Sequence, residues 1–583
     1  MVKAGSGYNR GERRARQRRR SYPMKRIFIN GHIFTSTQEQ YGADAGQRQP
    51  FADSMLAEDG VITWIGRKDS GQMPPAEGAE VIDLQGRTVI PGFVDAHMHP
   101  VMMAEYSRQI ACLPPEICSI EDLVGAIARW DEQTRAAAEG SRGSGRGGRQ
   151  ESWIRGWGYD EGKFAEKRSP NRYDLDRGCA DRPVFLVRSC EHVRCVNSKA
   201  LEIAGITRDT PDPPGGSIDR DERGEPTGIL RESARDLILP HMPKETEEDM
   251  ADALVELGRK LLAKGIVAIG DMGNLRPDTN YALLERAAEK GFLQRVAMYD
   301  MWDYLQDDPG YRITPEQADR RARRRIGGIK LIGDGSISGR TAWLSEPYRG
   351  SEDSGMPVYS DESLEKAIAF ARENRCQIAV HAMGGRAIDR ILDRIVREED
   401  WLPGKTDSFL RLEHLTEPSD RAMEIAAERG IAFVSQPIFA YCEIETYLAN
   451  LGEERLKELY PYRTELEAGI RLAFSSDAPA TSWAVPYDPF TNLKAAVTRR
   501  AYDGTDTGQK ERIDIQTAVM LYTKNAAEVC GFDGLGQLRE GWAADFAVLS
   551  DDIFAIPPEE IDRAVVEETW IGGERVYKTG GEV

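Results

Sequence analysis

The chain has 583 residues, of which 40% are hydrophobic and 30% charged, a composition typical of a soluble globular protein with about three units of roughly 150–200 residues. Its net charge of −19 argues against a nucleic-acid-binding surface. No apolar run is long enough to span a membrane, and no apolar segment marks a signal peptide. The eight cysteines include no C-x-x-C pair and are interpreted as reduced thiols, so we expect a cytoplasmic protein.

The N-terminal segment differs from the rest of the chain in charge. Residues 1–23 contain eight Lys or Arg and one Glu. One interpretation is a basic arm that binds polyanions. The other is a disordered or non-native tail that precedes the true start at Met24, where MKRIFINGHIF begins. We favour the tail.

Strand-like segments lie at both ends of the chain. Within residues 24–90 they are KRIFING, MLAEDGVITWIGR and AEVIDLQGRTVI, separated by Gly and Asp-Gly turns. The same alternation of apolar and polar residues returns within 531–583, at DFAVLS and EETWIGGERVYKTG. We therefore predict one composite β-sandwich built from both termini.

Between these ends, apolar runs alternate with amphipathic helical segments, as in repeated β-α units. We assign barrel strand 1 and its metal motif to residues 91–109 and the remainder of the barrel to 241–530; segment 361–374 is a predicted intervening helix. The eight runs are VIPGFVDAH, GIVAIGDMG, RVAMYDMW, GIKLIGDGS, QIAVHAMG, RLEHLTEP, IAFVSQP and RLAFSSDAP. They predict an α/β fold, a (β/α)8 TIM barrel.

One connection is too long for a β-α unit. About 160 residues separate the first run from the second. Residues 110–240 are therefore predicted to form a large lobe inserted after barrel strand 1. Within it, residues 139–150 read as a flexible low-complexity loop, and PVFLVRS and HVRCVNS as strands.

The positions of the histidines indicate the chemistry. The chain has only seven, and four of them lie at the ends of predicted barrel strands: His97, His99, His381 and His414. The carboxyl ends of barrel strands open onto one face, so these side chains can converge. Residues i and i+2 of a strand point the same way, so His97 and His99 can reach one ion, and imidazole suits zinc and similar divalent metals.

Lys330 and Asp477 complete the candidate set. Lys330 lies in the fourth run, where a buried ammonium is costly; a neutral amine could react with CO₂ to give a carbamate that bridges two cations. Its alternatives are a lysine that reaches the surface or one that binds substrate. Asp477 ends the eighth run and is our candidate general base, the alternative being a helix N-cap.

Several motifs together resemble the amidohydrolase superfamily, most closely its type 3, YtcJ-like branch, which includes N-substituted formamide deformylases. These motifs are VIPGFVDAHMHP, GGSIDRDERGEPTGIL, GIKLIGDGSISGRTAWLSEPY, VHAMGGRAI, RLEHL, VSQP, SSDAP and LYTKNAA, and the resemblance extends from Met24 to the C-terminus. It implies a composite β-sandwich beside a distorted (β/α)8 barrel that holds one or two divalent metal ions, zinc being the expected metal.

The resemblance also assigns residues. It implies that His97, His99, Lys330, His381 and His414 are metal ligands, with Lys330 carboxylated, and that Asp477 is the catalytic acid/base. His192 matches the family pattern H-x-x-x-x-N-S and is a candidate substrate-binding residue, with a structural hydrogen bond as the alternative. Arg340 and Trp343, in the fourth-strand motif, are further substrate-binding candidates.

The sequence departs from the family at two positions, which affects the expected substrate. Gly385 stands where the family often has Asp, and Gly333 where Ala or Leu is common. Neither change removes a ligand. Aromatic residues near the expected site (Trp302, Trp343, Phe439 and Tyr441) suggest an apolar substrate group, although aromatic packing under loops is commoner.

We therefore predict a metal-dependent enzyme that hydrolyses a non-peptide C–N bond of a small molecule: an N-acyl or N-formyl amine, or a cyclic amide. A heterocycle deaminase could use the same site. A catalytically degenerate, metal-binding regulatory protein is the non-enzyme alternative, and the complete ligand set argues against it. A homo-oligomer is compatible with the sequence.

Overall fold

A computed structural model describes residues 25–37, 50–75, 77–140, 153–189, 193–273, 279–402 and 408–581. The basic segment 1–23 and His192 lie outside the described residues, as does most of the loop predicted at 139–150. Residues 139 and 140 belong instead to the end of a helix that begins at Ile120. No helix within the described ranges combines the length and apolarity that crossing a bilayer requires.

The strands in chain order are β1 (Lys25–Ile29), β2 (His32–Phe34), β3 (Phe51–Ala52), β4 (Ser54–Glu58), β5 (Val61–Gly66), β6 (Glu80–Asp83), β7 (Thr88–Pro91), β8 (Phe93–Met98), β9 (Ile110–Ala111), β10 (Ile154–Tyr159), β11 (Val184–Arg188), β12 (Val193–Val196), β13 (Gly216–Arg220), β14 (Pro226–Glu232), β15 (Ile266–Asp271), β16 (Arg295–Met301), β17 (Arg324–Ile332), β18 (Gln377–Ala382), β19 (Leu410–His414), β20 (Ala432–Ser435), β21 (Arg471–Phe474), β22 (Phe546–Leu549), β23 (Val566–Ile571) and β24 (Glu574–Lys578).

The α-helices in chain order are α1 (Pro100–Tyr106), α2 (Ile120–Gly140), α3 (Arg172–Gly178), α4 (Ser198–Ala204), α5 (Glu247–Leu262), α6 (Tyr281–Glu289), α7 (Trp302–Leu305), α8 (Asp361–Asn374), α9 (Gly385–Ile395), α10 (Asp420–Arg429), α11 (Ile438–Cys442), α12 (Ile444–Asn450), α13 (Glu453–Leu456), α14 (Tyr462–Glu467), α15 (Pro489–Thr498), α16 (Ile515–Leu521) and α17 (Lys524–Val529).

Eight parallel strands form the barrel, in the order β8, β15, β16, β17, β18, β19, β20 and β21. Each strand overlaps one of the eight predicted runs, although β17 begins at Arg324, four residues before its run. Burial on both faces explains the apolar composition: β8 and β15 are buried along their whole length. The edge strands meet where the N–H of Asp477 donates to the carbonyl of His97, 2.8 Å away. The predicted distorted (β/α)8 barrel is confirmed.

The helix predicted at 361–374 matches α8 at both ends. Ser360 caps its N-terminus, accepting a hydrogen bond from the N–H of Ser363 at 3.1 Å. Arg375 ends it in the left-handed region, with φ of 49°. Local capping therefore fixed these boundaries, which is why the sequence pattern could predict them.

Both chain ends build one sandwich, as predicted. A six-stranded sheet, in the order β24, β23, β22, β7, β2 and β3, faces a four-stranded sheet in the order β5, β4, β1 and β6. Between them, the ring of Phe28 contacts the rings of Phe546 and Trp570 edge-on, each at a centroid distance of 5.0 Å.

The first predicted run contains two strands rather than one. β7 pairs with β22 of the sandwich, while β8 enters the barrel. Gly92 separates them, and a Cβ at this position would lie 2.6 Å from both methyl groups of Val267. Any larger residue at this junction between sandwich and barrel would require Val267 to move.

The insertion after the first barrel strand forms its own sheet, in the order β13, β14, β12, β11, β10 and β9. Its core includes Ile127, Leu175 and Leu186, all fully buried. Part of the lobe lies against the barrel loops that follow the strands: the N–H of Ala484 donates to the carbonyl of Pro114 at 3.0 Å.

Candidate metal centre

Four histidines and one aspartate meet at the carboxyl ends of the barrel strands. The Nε2 atoms of His97 and His99 lie 3.1 and 3.2 Å from Oδ1 of Asp477. The ring of His414 lies 5.0 Å from the ring of His97 and 4.3 Å from that of His381, centroid to centroid. The side chains that the sequence placed at separate strand ends thus form one cluster.

The protein holds one nitrogen of each ring. Nδ1 of His97 lies 2.7 Å from Oε2 of Glu413, and Nδ1 of His99 lies 2.7 Å from the carbonyl of Gly273. Nδ1 of His414 lies 2.9 Å from Oε1 of Gln436. In His381 the bound nitrogen is instead Nε2, which lies 2.9 Å from the carbonyl of Gly335.

These four partners are acceptors, so each ring donates one N–H to the protein. The remaining nitrogen is Nε2 in His97, His99 and His414, and Nδ1 in His381; in His97 and His99 it faces Oδ1 of Asp477. Burial, and then the charge of Lys330, lower the pKa of His381 to about 4, which favours the neutral ring. Neutral imidazoles oriented in this way are typical metal ligands.

Lys330 lies in β17 with its side chain buried. Its Nζ atom has no hydrogen-bond partner among the described residues. Burial lowers the pKa of this amine to about 8, although the charges of Glu413 and Asp477 act against it. A buried, unpartnered amine with a lowered pKa does not fit the alternative of a lysine that reaches the surface.

Asp477 has an unusual backbone conformation for a residue with a side chain, with φ of 54°, and His414 has φ of 80°. Such conformations cost energy and persist where surrounding contacts impose them. Burial alone would raise the pKa of Asp477, but His97, His99 and His414 hold it well below the usual range. The next described helix after Asp477, α15, is capped by Asp488, so Asp477 is not a helix N-cap.

The residues present fit a divalent cation. Ligand atoms of His97, His414 and Asp477 all lie within 4.8 Å of one another. Imidazole nitrogens and carboxylate oxygens are donors that zinc and similar metals accept. Nζ of Lys330 is a further buried polar atom without a hydrogen-bond partner among the described residues, and a bound ion or a modification would supply one.

Sequence reasoning missed the charged pair beneath His97. Glu413 and Arg411 are both fully buried in β19, and Arg411 donates from Nη2 to Oε2 of Glu413 at 3.0 Å. The charge of Arg411 contributes to holding the pKa of Glu413 below its usual range, although burial acts in the opposite direction. Two charged residues in a strand buried on both faces, in RLEHL, were the available signal.

Asp334 was also missed as a functional residue. Its buried carboxylate accepts hydrogen bonds from the N–H groups of Trp343, Met383 and Gly384, at 2.8, 2.9 and 2.8 Å. It therefore ties the loop after β17 to the loop after β18, directly behind His381.

Both glycines that depart from the family pattern lie in crowded positions. A Cβ at Gly333 would meet the carbonyl oxygen of His381 at 2.2 Å, and one at Gly385 would meet Oγ of Ser345 at 2.2 Å. Any larger residue at either position requires its neighbour to move.

Among the described residues, no contact joins the substrate-binding candidates Arg340 and Trp343 to the histidine cluster. The guanidinium carbon of Arg340 lies 5.2 Å from the ring centre of Tyr348, and Trp343, half-buried, lies 5.7 Å from the guanidinium carbon of Arg390 on α9. Trp302 donates from its indole N–H to the carbonyl of Ser363.

Two of the other aromatic residues lie closer to the site. The ring of Phe439 is stacked on that of His414, at 5.7 Å. Tyr441 contacts Trp483 edge-on at 5.4 Å, and Trp483 belongs to the same loop as Asp477. Phe439, Tyr441 and Trp483 are therefore better placed than Trp302 or Trp343 to contact the expected apolar substrate group.

Comparison with known proteins gives concordant matches over most of the chain. The sequence model of the amidohydrolase family matches residues 80–577. "Putative amidohydrolase YtcJ" of Bacillus subtilis strain 168 is 32% identical over 576 residues, covering 95% of this chain and 100% of that protein. N-substituted formamide deformylase of Arthrobacter pascens is 29% identical over 550 residues, covering 92% and 96%. The crystal structure of an uncharacterised metal-dependent hydrolase from Pyrococcus horikoshii OT3 superposes with a TM-score of 0.66 at 25% identity, covering 92% and 99%.

Proposed function

Because the chain belongs to the amidohydrolase family, we propose that it is a metal-dependent enzyme that hydrolyses a non-peptide C–N bond in a small molecule, an N-acyl or N-formyl amine or a cyclic amide. The relative from Arthrobacter pascens, named for its action on N-substituted formamides, supports this class of bond. The observation that carries the proposal is the cluster of four anchored imidazoles around the carboxylate of Asp477.

The proposed ligands of the metal are His97, His99, His381, His414 and a carboxylated Lys330, and we propose one or two ions, with zinc as the metal. When bound, a divalent ion would polarise the scissile carbonyl and lower the pKa of water. The lowered pKa of Lys330 makes its neutral form accessible, and the neutral amine is the form that can add CO₂.

The protein's own residues supply orientation and proton transfer. The four rings are held in orientation by Glu413, Gly273, Gly335 and Gln436, so binding of an ion would require little reorganisation of these rings. Asp477 is proposed to accept a proton from the attacking water and to return it to the leaving nitrogen. The water oxygen forms the new C–O bond as its proton passes to Asp477, and the C–N bond breaks as that proton reaches the nitrogen, giving a carboxylic acid and an amine.

The test is a product assay on purified protein of known metal content. It would be incubated with N-formyl amines, small lactams and amino-substituted heterocycles. A carboxylic acid together with a free amine would support the proposal, whereas ammonia release would support the deaminase alternative. Full metal content without turnover of any of these compounds would favour the degenerate regulatory protein.

A further inference from the structure

A second carboxylate, Glu443, lies at the same end of the barrel and has no role in the proposed chemistry. It occupies the junction between α11 and α12, in the loop that follows β20. Its N–H donates to the carbonyl of Phe439 at 3.0 Å, so it lies one helical turn from the ring that is stacked on His414. Glu443 is therefore a neighbour of the candidate metal centre.

Three barrel loops converge on this carboxylate. Ser338, from the loop after β17, donates to Oε2, and Ser482, from the loop after β21, lies 3.5 Å from Oε1. The charge of Asp477 acts on the same group, which places both carboxylates within electrostatic reach of each other.

Glu443 has no cationic partner within 4.0 Å in the part of the chain that the structure describes. The nearest basic group that acts on it, Lys163 of the inserted lobe, donates instead to the carbonyl of Cys442 at 2.6 Å and to Glu445 at 3.2 Å. Two serine hydroxyls satisfy only part of the acceptor capacity of a carboxylate, which has about four lone-pair sites.

Glu443 is half-buried, so part of its carboxylate remains open to an incoming group, and a cation bound there would supply the charge partner that the protein does not. Partial burial raises the pKa of Glu443, although the hydroxyl of Ser338 and the charge of Lys163 act against it. Tyr441 lies two residues before Glu443, Trp483 directly follows Ser482, and the rings of Tyr441 and Trp483 contact each other at 5.4 Å. Aromatic faces attract cations. An apolar wall with a single acidic group fits an alkyl chain that ends in an ammonium.

We propose that Glu443 is a specificity-determining residue that binds a protonated amino group of the substrate, so that preferred substrates are amides carrying a second, basic nitrogen. This inference rests on the proposed amide hydrolysis and narrows its substrate class. The carboxylate would receive an N–H from the ammonium at the end remote from the scissile bond.

The test compares two substrate series of equal length. One consists of mono-N-formyl diaminoalkanes with two to six methylene groups, and the other of N-alkylformamides in which a methyl group replaces the ammonium. We expect the wild type to favour the charged series in kcat/KM by about tenfold or more at the best length, as one charged hydrogen bond allows. Glu443→Gln should lose this preference and retain its rate on the neutral series.

Three controls isolate the charge of Glu443. Glu454→Gln removes one negative charge at an exposed position on α13 and should keep the preference. Glu453→Gln removes another negative charge at an exposed position on α13, and should also keep it. Thermal unfolding of each variant reports any loss of folding.

Binding of unmodified diaminoalkanes, measured by calorimetry, separates this inference from the proposed function. Binding that weakens about tenfold in Glu443→Gln supports the inference even if no formamide is hydrolysed. The inference would be overturned if the wild type hydrolysed both series at equal rates, or if the preference survived in Glu443→Gln. It would also be overturned if the protein hydrolysed neither series and bound no diaminoalkane.

Discussion

Nδ1 of His97 lies 2.7 Å from Oε2 of Glu413, and Arg411 contacts the same carboxylate within the barrel. Arg411 is anchored in turn by the carbonyl of Ala96, at 2.8 Å. A continuous series of charged groups therefore connects the interior of the barrel to the candidate metal centre. Such a carboxylate fixes the tautomer and orientation of a metal-binding imidazole and raises its basicity.

Glu413→Gln should therefore weaken metal binding by about 10–100-fold, the usual effect of losing a carboxylate behind a ligand histidine. It should also lower the free energy of unfolding by about 3–5 kcal/mol, because Arg411 would keep a buried charge without its partner. Competition with a chromophoric chelator and urea unfolding measure the two effects. Glu567→Gln, which removes a partly exposed partner of Arg87, should change metal affinity little; equal affinities in both variants would contradict the positioning role.

Asp477→Asn should keep the metal but lower kcat by about 10²–10⁴-fold, because the amide cannot take up a proton at neutral pH. Its similar shape preserves hydrogen bonding near His97 and His99. Metal analysis and steady-state kinetics on the best formamide would be run on the same preparations. A variant as fast as the wild type would reject Asp477 as the acid/base.

Lys330→Ala should lose metal, because the proposed carbamate would be absent from the cluster. Short carboxylates such as acetate or propionate, added at high concentration, should restore part of the metal content by filling the space left by the side chain. Metal content that is unchanged by the substitution would exclude a carboxylated Lys330 as a ligand.

The clustering of the four histidines was predictable because histidine is rare in this chain and four of seven lie at strand ends, where barrel geometry brings them together. Glu413 was not, although it directly precedes His414. Its function depends on His97, a residue 316 positions away, and only the closed barrel brings the two side chains into contact.

Some strand boundaries and the position of Glu443 also depend on contacts between distant segments, which the sequence does not reveal. VIPGFVDAH is a continuous apolar segment, and its division at Gly92 depends on two different pairing partners, β22 and β15. Glu443 lies in a segment with other glutamates and carries no local signal. Its position is set by contacts with two other loops, through Ser338, 105 residues before it, and Ser482, 39 residues after it. By contrast, α8 has its own caps, and its limits were predictable.

Glu465, on α14, should make stability depend on pH. It is buried, its Oε2 atom has no hydrogen-bond partner among the described residues, and burial followed by the charge of Glu511 raises its pKa to about 8. The unfolded chain loses this proton at a pH of about 4.3, whereas the folded state keeps it up to pH 8. The folded state binds more protons over this range, so the free energy of unfolding should fall as pH rises. The slope is at most about 1.4 kcal/mol per pH unit, and the total loss is a few kcal/mol.

Glu465→Gln should remove this contribution, because a neutral amide replaces the protonated acid at every pH. We expect the variant to resemble the wild type near pH 5 and to be more stable than the wild type near pH 8.5, with the difference growing steadily between these values. Urea unfolding at several pH values measures the difference. Glu467→Gln, on the exposed side of the same helix, should differ from the wild type by a small amount that does not vary with pH. A constant difference for Glu465→Gln as well would show that Glu465 is ionised in the folded protein, in which case another cation must lie close to it.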